Sequence, residues 1–218
     1  MTTATAADRI TAPPPRPIHG WARLASAATV GGLLLGVLTN LAQGWLPGAW
    51  NQLANSGAIW SAVAFIAGAL LYRNGPPAQA AAAGLCAEVG LVVGYYGYAE
   101  FGREGMGQLF FPLVWLGLAC VAGPLFGIAG HWWRGAPDAR RRVIALAAFA
   151  GLFGMEGMVY AWDLHYDAQA WTCLALFILI PLLMARRNAD RAWTLAAAVP
   201  CALLAYAIIE LPLQRLSA

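Results

Sequence analysis

The sequence predicts an all-α fold, a polytopic bundle of seven transmembrane helices, and three observations support this. Of 218 residues, 61% are apolar and 11% are charged, whereas about a quarter of the residues in an average soluble domain are charged. The apolar residues fall into seven runs, each near the length of about 20 residues that a membrane crossing requires. The arginines collect in alternate connections between these runs. Together these patterns exclude an ordinary soluble enzyme.

The first element is an N-terminal segment, 1–22, that is rich in proline and has no apolar core. We expect a disordered cytoplasmic tail and not a cleaved signal peptide. The tail precedes a seven-helix transmembrane domain over 23–218. The predicted spans cover 25–45, 55–72, 78–98, 109–132, 143–162, 169–185 and 192–211.

Each predicted span ends where polar residues, glycine or proline interrupt the apolar run. Such residues favour turns and loops over a continuing helix. In chain order, the six interruptions are WLPGAWNQLANSG, RNGPP, FGREGMGQ, RGAPDARRR, DLHYD and ARRNADR. These short connections predict helices that are antiparallel to their neighbours in the chain.

The arginine distribution predicts the orientation. All thirteen basic residues are arginines, and only Arg103 and Arg215 fall on the sparsely charged side. The other eleven precede the first span or lie in alternate loops: Arg9, Arg16, Arg23, Arg73, Arg134, Arg140, Arg141, Arg142, Arg186, Arg187 and Arg191. By the positive-inside rule, we expect a multi-pass cell-membrane protein with a cytoplasmic N-terminus and an external C-terminus. Nucleic acid is an unsuitable partner, because the arginines form no continuous basic face.

A weak internal repeat runs through the chain. Three segments begin with a tryptophan and end at an arginine, and each is followed by a helix that carries one glutamate. This pattern favours one leading helix followed by three similar hairpins. The alternative is that interfacial tryptophan and inner arginine are what any transmembrane hairpin shows.

Three carboxyl groups stand inside the predicted spans: Glu88, Glu156 and Glu210. A charge at the centre of a bilayer costs at least about 2.5 kcal/mol, and no arginine within a span can pair with them. Apolar surroundings favour the neutral carboxyl, which can donate a hydrogen bond or a proton. We therefore predict that these three residues are catalytic. The alternative is a neutral carboxyl bonded to a neighbouring helix.

Aromatic and polar side chains near the acids are the predicted substrate-binding residues. On a helix, Tyr95 shares a face with Glu88, and Tyr160 shares a face with Glu156. The complete set is Tyr95, Tyr96, Tyr160, Trp162, Asp163, Asn40, Asn55, Trp60 and Trp115. They predict an aromatic-walled cavity that opens to the outer half of the membrane, with acids at its floor and rim. The alternatives are an interfacial aromatic belt and, for the two asparagines, helix caps or contacts between helices.

Several common chemistries lack their motifs. The sequence has no glycine-rich phosphate loop with lysine, no GxSxG, no HExxH and no aspartate-rich DDxxD or DxDD. The segment DLHYD supplies too few ligands for a metal site. We expect no cofactor and no metal, and the missing aspartate-rich motifs argue against a reaction that ionises a diphosphate.

The segments VLTNLAQGWLPGAWNQLANSGAIW, VVGYYGYAEFG and AGPLFGIAGHWWR resemble a largely uncharacterised family of small actinobacterial membrane proteins. In size, topology and layout of acids and aromatics, the chain also resembles the bacterial membrane-bound terpene cyclases of the indole-sesquiterpenoid (drimentine and xiamycin) type. This resemblance implies cyclisation of a farnesyl-type chain on an acceptor, initiated by protonation from Glu88 or Glu156. Aromatic rings would stabilise the carbocation. The implied partners are a lipophilic substrate and membrane lipid.

Two other functions are compatible with the sequence. The first is a substrate-binding membrane subunit of a vitamin-type importer, because Asn40, Asn55, Glu156 and DLHYD all lie toward the outside. The second is a scaffold or immunity-type protein without a ligand. Small residues four apart on several helices allow close helix packing, which leaves a homo-oligomer open.

Overall fold

A computed structural model describes residues 19–48, 50–71, 75–103 and 105–217. The expectations for Arg9, Arg16 and Arg73, and for the part of the tail over 1–18, lie outside the described residues.

All regular structure in the described residues is helical. The helices are α1 (His19–Trp45), α2 (Trp50–Leu53), α3 (Gly57–Leu70), α4 (Pro77–Gly102), α5 (Phe110–Gly135), α6 (Ala139–Met158), α7 (Asp167–Met184), α8 (Asn188–Ala205) and α9 (Leu211–Ser217). Two five-residue π-helices, Val159–Asp163 and Tyr206–Glu210, continue α6 and α8. The predicted all-α class is confirmed.

Seven helical stretches in the described part of the chain are long and apolar enough to cross a membrane. They are Trp21–Trp45, Trp50–Leu70, Pro77–Gly102, Phe110–Gly135, Ala139–Asp163, Asp167–Met184 and Asn188–Arg215. The predicted number of spans is confirmed, and the fold is compatible with a multi-pass membrane protein. Several helices extend beyond the apolar runs because polar residues at an exposed helix end do not break the backbone hydrogen bonds.

Local signals set several helix starts. Ser56 caps α3, where its hydroxyl oxygen accepts a hydrogen bond from the Ile59 N–H at 3.1 Å. Asp138 caps α6 by accepting from the Arg140 N–H at 2.9 Å. Pro77 occupies the first position of α4, where its missing N–H has no intrahelical acceptor to lose.

The helices alternate in direction, which gives the bundle two chemically different ends. The arginine end carries Arg134, Arg140, Arg141, Arg142, Arg186, Arg187 and Arg191. There, Arg142 pairs with Asp190 at 3.8 Å, and a guanidinium N–H of Arg186 donates to the Arg134 carbonyl at 3.0 Å. The acidic end carries Glu100, Glu156, Asp163, Asp167 and Glu210.

The spans pack as two groups, α1 with α3–α5 and α6 with α7–α8. The most extensive interfaces join α1 to α4, α4 to α5, α6 to α8 and α3 to α5. The contacts of α6 with α5 and α3 connect the two groups. The three predicted hairpins would pair α3 with α4, α5 with α6 and α7 with α8, and none of these pairs is among the four largest interfaces. The internal repeat stays a prediction.

Glycine allows the closest helix approaches. A β-carbon at Gly68 of α3 would lie 1.8 Å from the Gly127 carbonyl oxygen of α5, and one at Gly36 of α1 would lie 2.1 Å from the Leu91 carbonyl oxygen of α4. No side chain fits in these gaps, so glycine sets the spacing of both helix pairs.

The main apolar core is built around α6. Its buried Leu146, Phe149 and Phe153 form a cluster that includes Phe65 of α3 and Cys173 of α7. The Phe65 and Phe149 rings stack with centroids 4.5 Å apart. α6 is therefore the helix through which the two groups share a core.

Candidate functional site

Glu156 lies where α6 meets the N-terminus of α3. The Ala58 backbone N–H donates to its Oε1 at 2.9 Å, and the Ser56 hydroxyl donates to its Oε2. The first turn of a helix has N–H groups without intrahelical acceptors. Here the partly buried carboxyl of another helix accepts from one of them, so Glu156 ties α6 to α3.

Asp163 and Glu210 end the two π-helices and are connected by Gln214 of α9. The Gln214 side-chain amide donates to Asp163 Oδ2 at 3.0 Å and to Glu210 Oε1 at 3.2 Å. The Tyr206 hydroxyl also donates to Asp163 Oδ2, at 3.2 Å. This network joins the acidic ends of the fifth and seventh spans. Isolated π-turns in helices are frequently found at functional sites.

Glu88 is buried within α4, with 5% of its surface exposed. The Ser61 side chain of α3 hydrogen-bonds with its carboxyl, while Oε1 has no partner among the described residues. Glu88 therefore lies in the first helix group, among helices that do not contribute to the acidic network around Asp163.

Four predicted aromatic residues form one connected row. The Trp60 ring centroid lies 5.1 Å from those of both Trp115 and Tyr95, and Tyr95 lies 5.0 Å from Tyr96. Trp115 also comes close to Gly57, beside the Glu156 carboxyl. The aromatic row thus connects α5, α3 and α4 as packed interior, with Glu156 near one end.

The two predicted asparagines lie at the acidic end. The buried Asn40 side-chain amide donates to the Tyr95 carbonyl at 3.1 Å, and the Asn40 backbone carbonyl accepts from the Arg103 guanidinium at 2.6 Å. Asn40 therefore links α1 to α4. Asn55 precedes the Ser56 cap, and its buried Oδ1 has no partner among the described residues.

A lateral groove lies over α6, between α7 and α8, with a volume of about 420 Å³. Glycines form part of its floor, and aromatic side chains stand along it. Its lining residues are Gly154, Gly157, Met158, Ala161, Trp162, Asp167, Ala170, Trp171, Leu174, Phe177, Val199, Ala202 and Leu203. The volume falls within the range of about 300–1,000 Å³ typical of small-molecule sites.

The structure distributes the predicted site residues among several surroundings. Trp162 lines the groove, whereas the rings of the aromatic row pack in the first helix group. Tyr160 points instead toward α2, where its hydroxyl lies 3.5 Å from the Gln52 carbonyl, and its ring stacks on Tyr166 at 6.4 Å. These side chains therefore do not line one common cavity with acids at its floor, as the sequence predicts.

Most of the groove has no signal in the sequence. Asp167 belongs to the predicted loop DLHYD, Trp171 begins one of the three predicted repeat segments, and Phe177 is one apolar residue within a predicted span. One signal was present: Gly154 and Gly157 surround Glu156 in α6. The two glycines have no side chain to fill the groove on their side of α6. The Glu156 side chain points away from the groove, toward α3.

Comparisons with known proteins give one result. No curated protein and no solved structure matches the chain. Residues 15–215 match a family model described as a family of unknown function, DUF6518. Since the match includes all seven spans, the chain belongs to the DUF6518 family.

Proposed function

We propose that this protein binds a lipophilic small molecule of the prenyl class, which enters the groove sideways from the membrane. The observation that carries the proposal is the groove itself, an apolar cleft between two spans with a single charged side chain, Asp167, in its lining. A ligand that partitions into lipid reaches such a site without crossing water.

The groove lining suits an unsaturated hydrocarbon chain. Trp162, Trp171 and Phe177 provide aromatic faces, Met158 provides a flexible apolar one, and Gly157 leaves room at the floor. Methionine adapts to irregular shapes, and aromatic rings contribute large contact areas. These side chains favour an elongated apolar ligand over a compact polar one.

The terpene cyclase activity expected from the resemblance is the finer form of this proposal. A carboxyl would protonate a terminal alkene or epoxide, and a base would remove a proton from the final carbocation, so the reaction is an isomerisation without a cofactor. Aromatic rings in the groove support it, since they attract cations by about 2 kcal/mol when desolvated. Asp167, the carboxylate in the lining, would be the base. The donors that the resemblance implies, Glu88 and Glu156, bond to Ser61 of α3 and to its cap Ser56.

The importer alternative has less support. A water-soluble vitamin is held by several polar groups that converge in one pocket. The described groove offers one carboxylate, and the polar side chains of Asn40 and Glu156 are engaged in contacts between helices. A lipophilic ligand needs no further polar partners.

We further propose that the arginine end faces the cytoplasm of the cell membrane, as the positive-inside rule predicts. The groove then opens in the outer half of the bilayer, because Trp162 and Asp167 belong to the acidic end.

Photolabelling tests the binding proposal. The protein in phosphatidylcholine nanodiscs is irradiated with a diazirine analogue of farnesol, and labelled peptides are mapped by mass spectrometry. We expect labelling in α6–α8 and competition by excess farnesol. Val199→Trp fills the groove and should lower labelling, whereas Val121→Trp, an outward-facing position on α5, is the matched control. Equal labelling of both variants, or none in the unsubstituted protein, would contradict the proposal.

A second assay tests the cyclase chemistry. Membranes containing the protein are incubated with a farnesylated indole and with its terminal epoxide, and cyclic isomers are sought by mass-matched chromatography. We expect product that Asp167→Asn reduces at least about tenfold, by analogy with the loss of a general base. If Glu88→Gln or Glu156→Gln alone abolishes product in folded protein, that glutamate is the proton donor. Absence of product from all substrates would leave the protein a binding protein.

A further inference from the structure

We propose that the groove selects amphiphiles with a cationic head group and rejects prenyl diphosphates. This inference rests on the proposed function, since it concerns the head group of the same lipophilic ligand. It follows from the charges at the acidic end of the groove.

Carboxylates surround the polar end of the groove. Asp167 lines it directly. Asp163 is the next residue in the chain after Trp162, which lines the groove. The Gln214 side-chain amide donates hydrogen bonds to both Asp163 and Glu210. Three acidic side chains, one each from the fifth, sixth and seventh spans, therefore gather at one end.

Within the described ranges, these acids have no ion-pair partner. The ion pair that the described residues form, Arg142 with Asp190, lies at the opposite end. Arg103 lies in the first helix group, where it donates to the Asn40 carbonyl. Arg215, in the last turn of α9, is one basic residue against the three carboxylates Asp163, Asp167 and Glu210. The balance of charge at this end is negative.

Among ligands with the same prenyl chain, this negative charge favours the one with a cationic head group. An ammonium head placed at Asp167 gains a Coulombic attraction that grows as the membrane interface excludes water. A diphosphate brings like charges together at Asp167, the first residue of α7, and the groove lining holds no lysine or arginine to offset its charge. We therefore commit to a prenyl chain with an amine head as the occupant.

Competition among three ligands with one chain tests the inference. Farnesol, farnesyl-trimethylammonium and farnesyl diphosphate each compete with the diazirine farnesol probe in phosphatidylcholine nanodiscs at low salt. We expect the ammonium to compete about fivefold better than farnesol, the ratio expected of one partly exposed ion pair. The diphosphate should compete worse than farnesol.

Two variants locate the effect. Asp167→Asn should remove the preference for ammonium while farnesol still competes. Glu100→Gln should keep the preference, because Glu100 is an exposed carboxylate at the same end on α4, outside the groove. Raising the salt concentration should shrink the preference in the unsubstituted protein.

The outcomes separate the two proposals. If farnesol competes but head-group charge makes no difference, the charge inference is wrong and prenyl binding stands. If Asp167→Asn and Glu100→Gln lose the preference equally, a diffuse surface charge and not the groove is responsible, which also overturns the inference. If no prenyl compound competes and only added phospholipid reduces labelling, the groove holds ordinary lipid and both proposals fail.

Discussion

At the scale of single residues, Glu156 shows how a membrane carboxyl finds partners. Its position within an apolar run is visible in the sequence, and the alternative of a bond to a neighbouring helix was recognised. Its donors, Ser56 and Ala58, are about a hundred residues away in the chain. No local pattern indicates such a pairing, since it depends on how α3 and α6 pack.

We predict that Glu156→Ala lowers the free energy of unfolding by about 1–3 kcal/mol, because a buried donor loses its acceptor. Glu156→Gln should cost less, since its amide oxygen can still accept from the Ala58 N–H. Thermal unfolding in detergent measures both variants. The exposed Glu100→Ala serves as control and should change stability by less than about 0.5 kcal/mol. A Glu156→Ala protein as stable as this control would refute the structural role.

At the scale of helices, number and order could be predicted, but contacts could not. Hydropathy identified seven spans because each must be apolar along most of its length. Uniformly apolar helices give little indication of which face meets a neighbour, since lipid and protein interiors are similarly apolar. The groove was missed for this reason: Trp171 and Phe177 look the same in sequence whether they face lipid or a ligand.

Glycine provides a prediction at the same scale. Gly68→Ala should weaken the α3–α5 contact and lower the free energy of unfolding by about 1–3 kcal/mol, because its β-carbon would collide with the backbone of Gly127. Gly117→Ala on α5 is the matched control. A β-carbon there has nothing within 4 Å, so stability should be unchanged or rise by up to about 1 kcal/mol. Equal unfolding temperatures for the two variants would show that α3 can move away from α5 without cost.

At the scale of the whole molecule, the two ends differ in charge. The arginine end and the acidic end arise from the alternation of loops that the sequence already shows, so the orientation could be predicted without a structure. The packing of the spans into two groups, joined by the contacts of α6, could not be predicted from the sequence. It depends on the packing of α1 on α4 and of α6 on α8, and neither pair is adjacent in the chain.

Cysteine labelling in cells checks the orientation. A Gln108→Cys variant at the acidic end should react with a membrane-impermeant maleimide in intact cells, and a Pro137→Cys variant at the arginine end should react only after permeabilisation. The unsubstituted protein controls for its four native cysteines, all of which lie within spans. The reverse labelling pattern would invert the topology and place the groove in the inner half of the membrane.

The close contact between α1 and α4 has a consequence for biosynthesis. α1 leaves the ribosome before α4, its principal neighbour, which follows only after α2 and α3 have been made. Until then α1 must remain in the bilayer on its own, held by its apolar side chains, several of which still face outward in the finished protein. The glycines that later admit α4, Gly32 and Gly36, meanwhile stay open on its surface. A ribosome-bound chain arrested before α4 should therefore hold α1 as a stable but unassembled span.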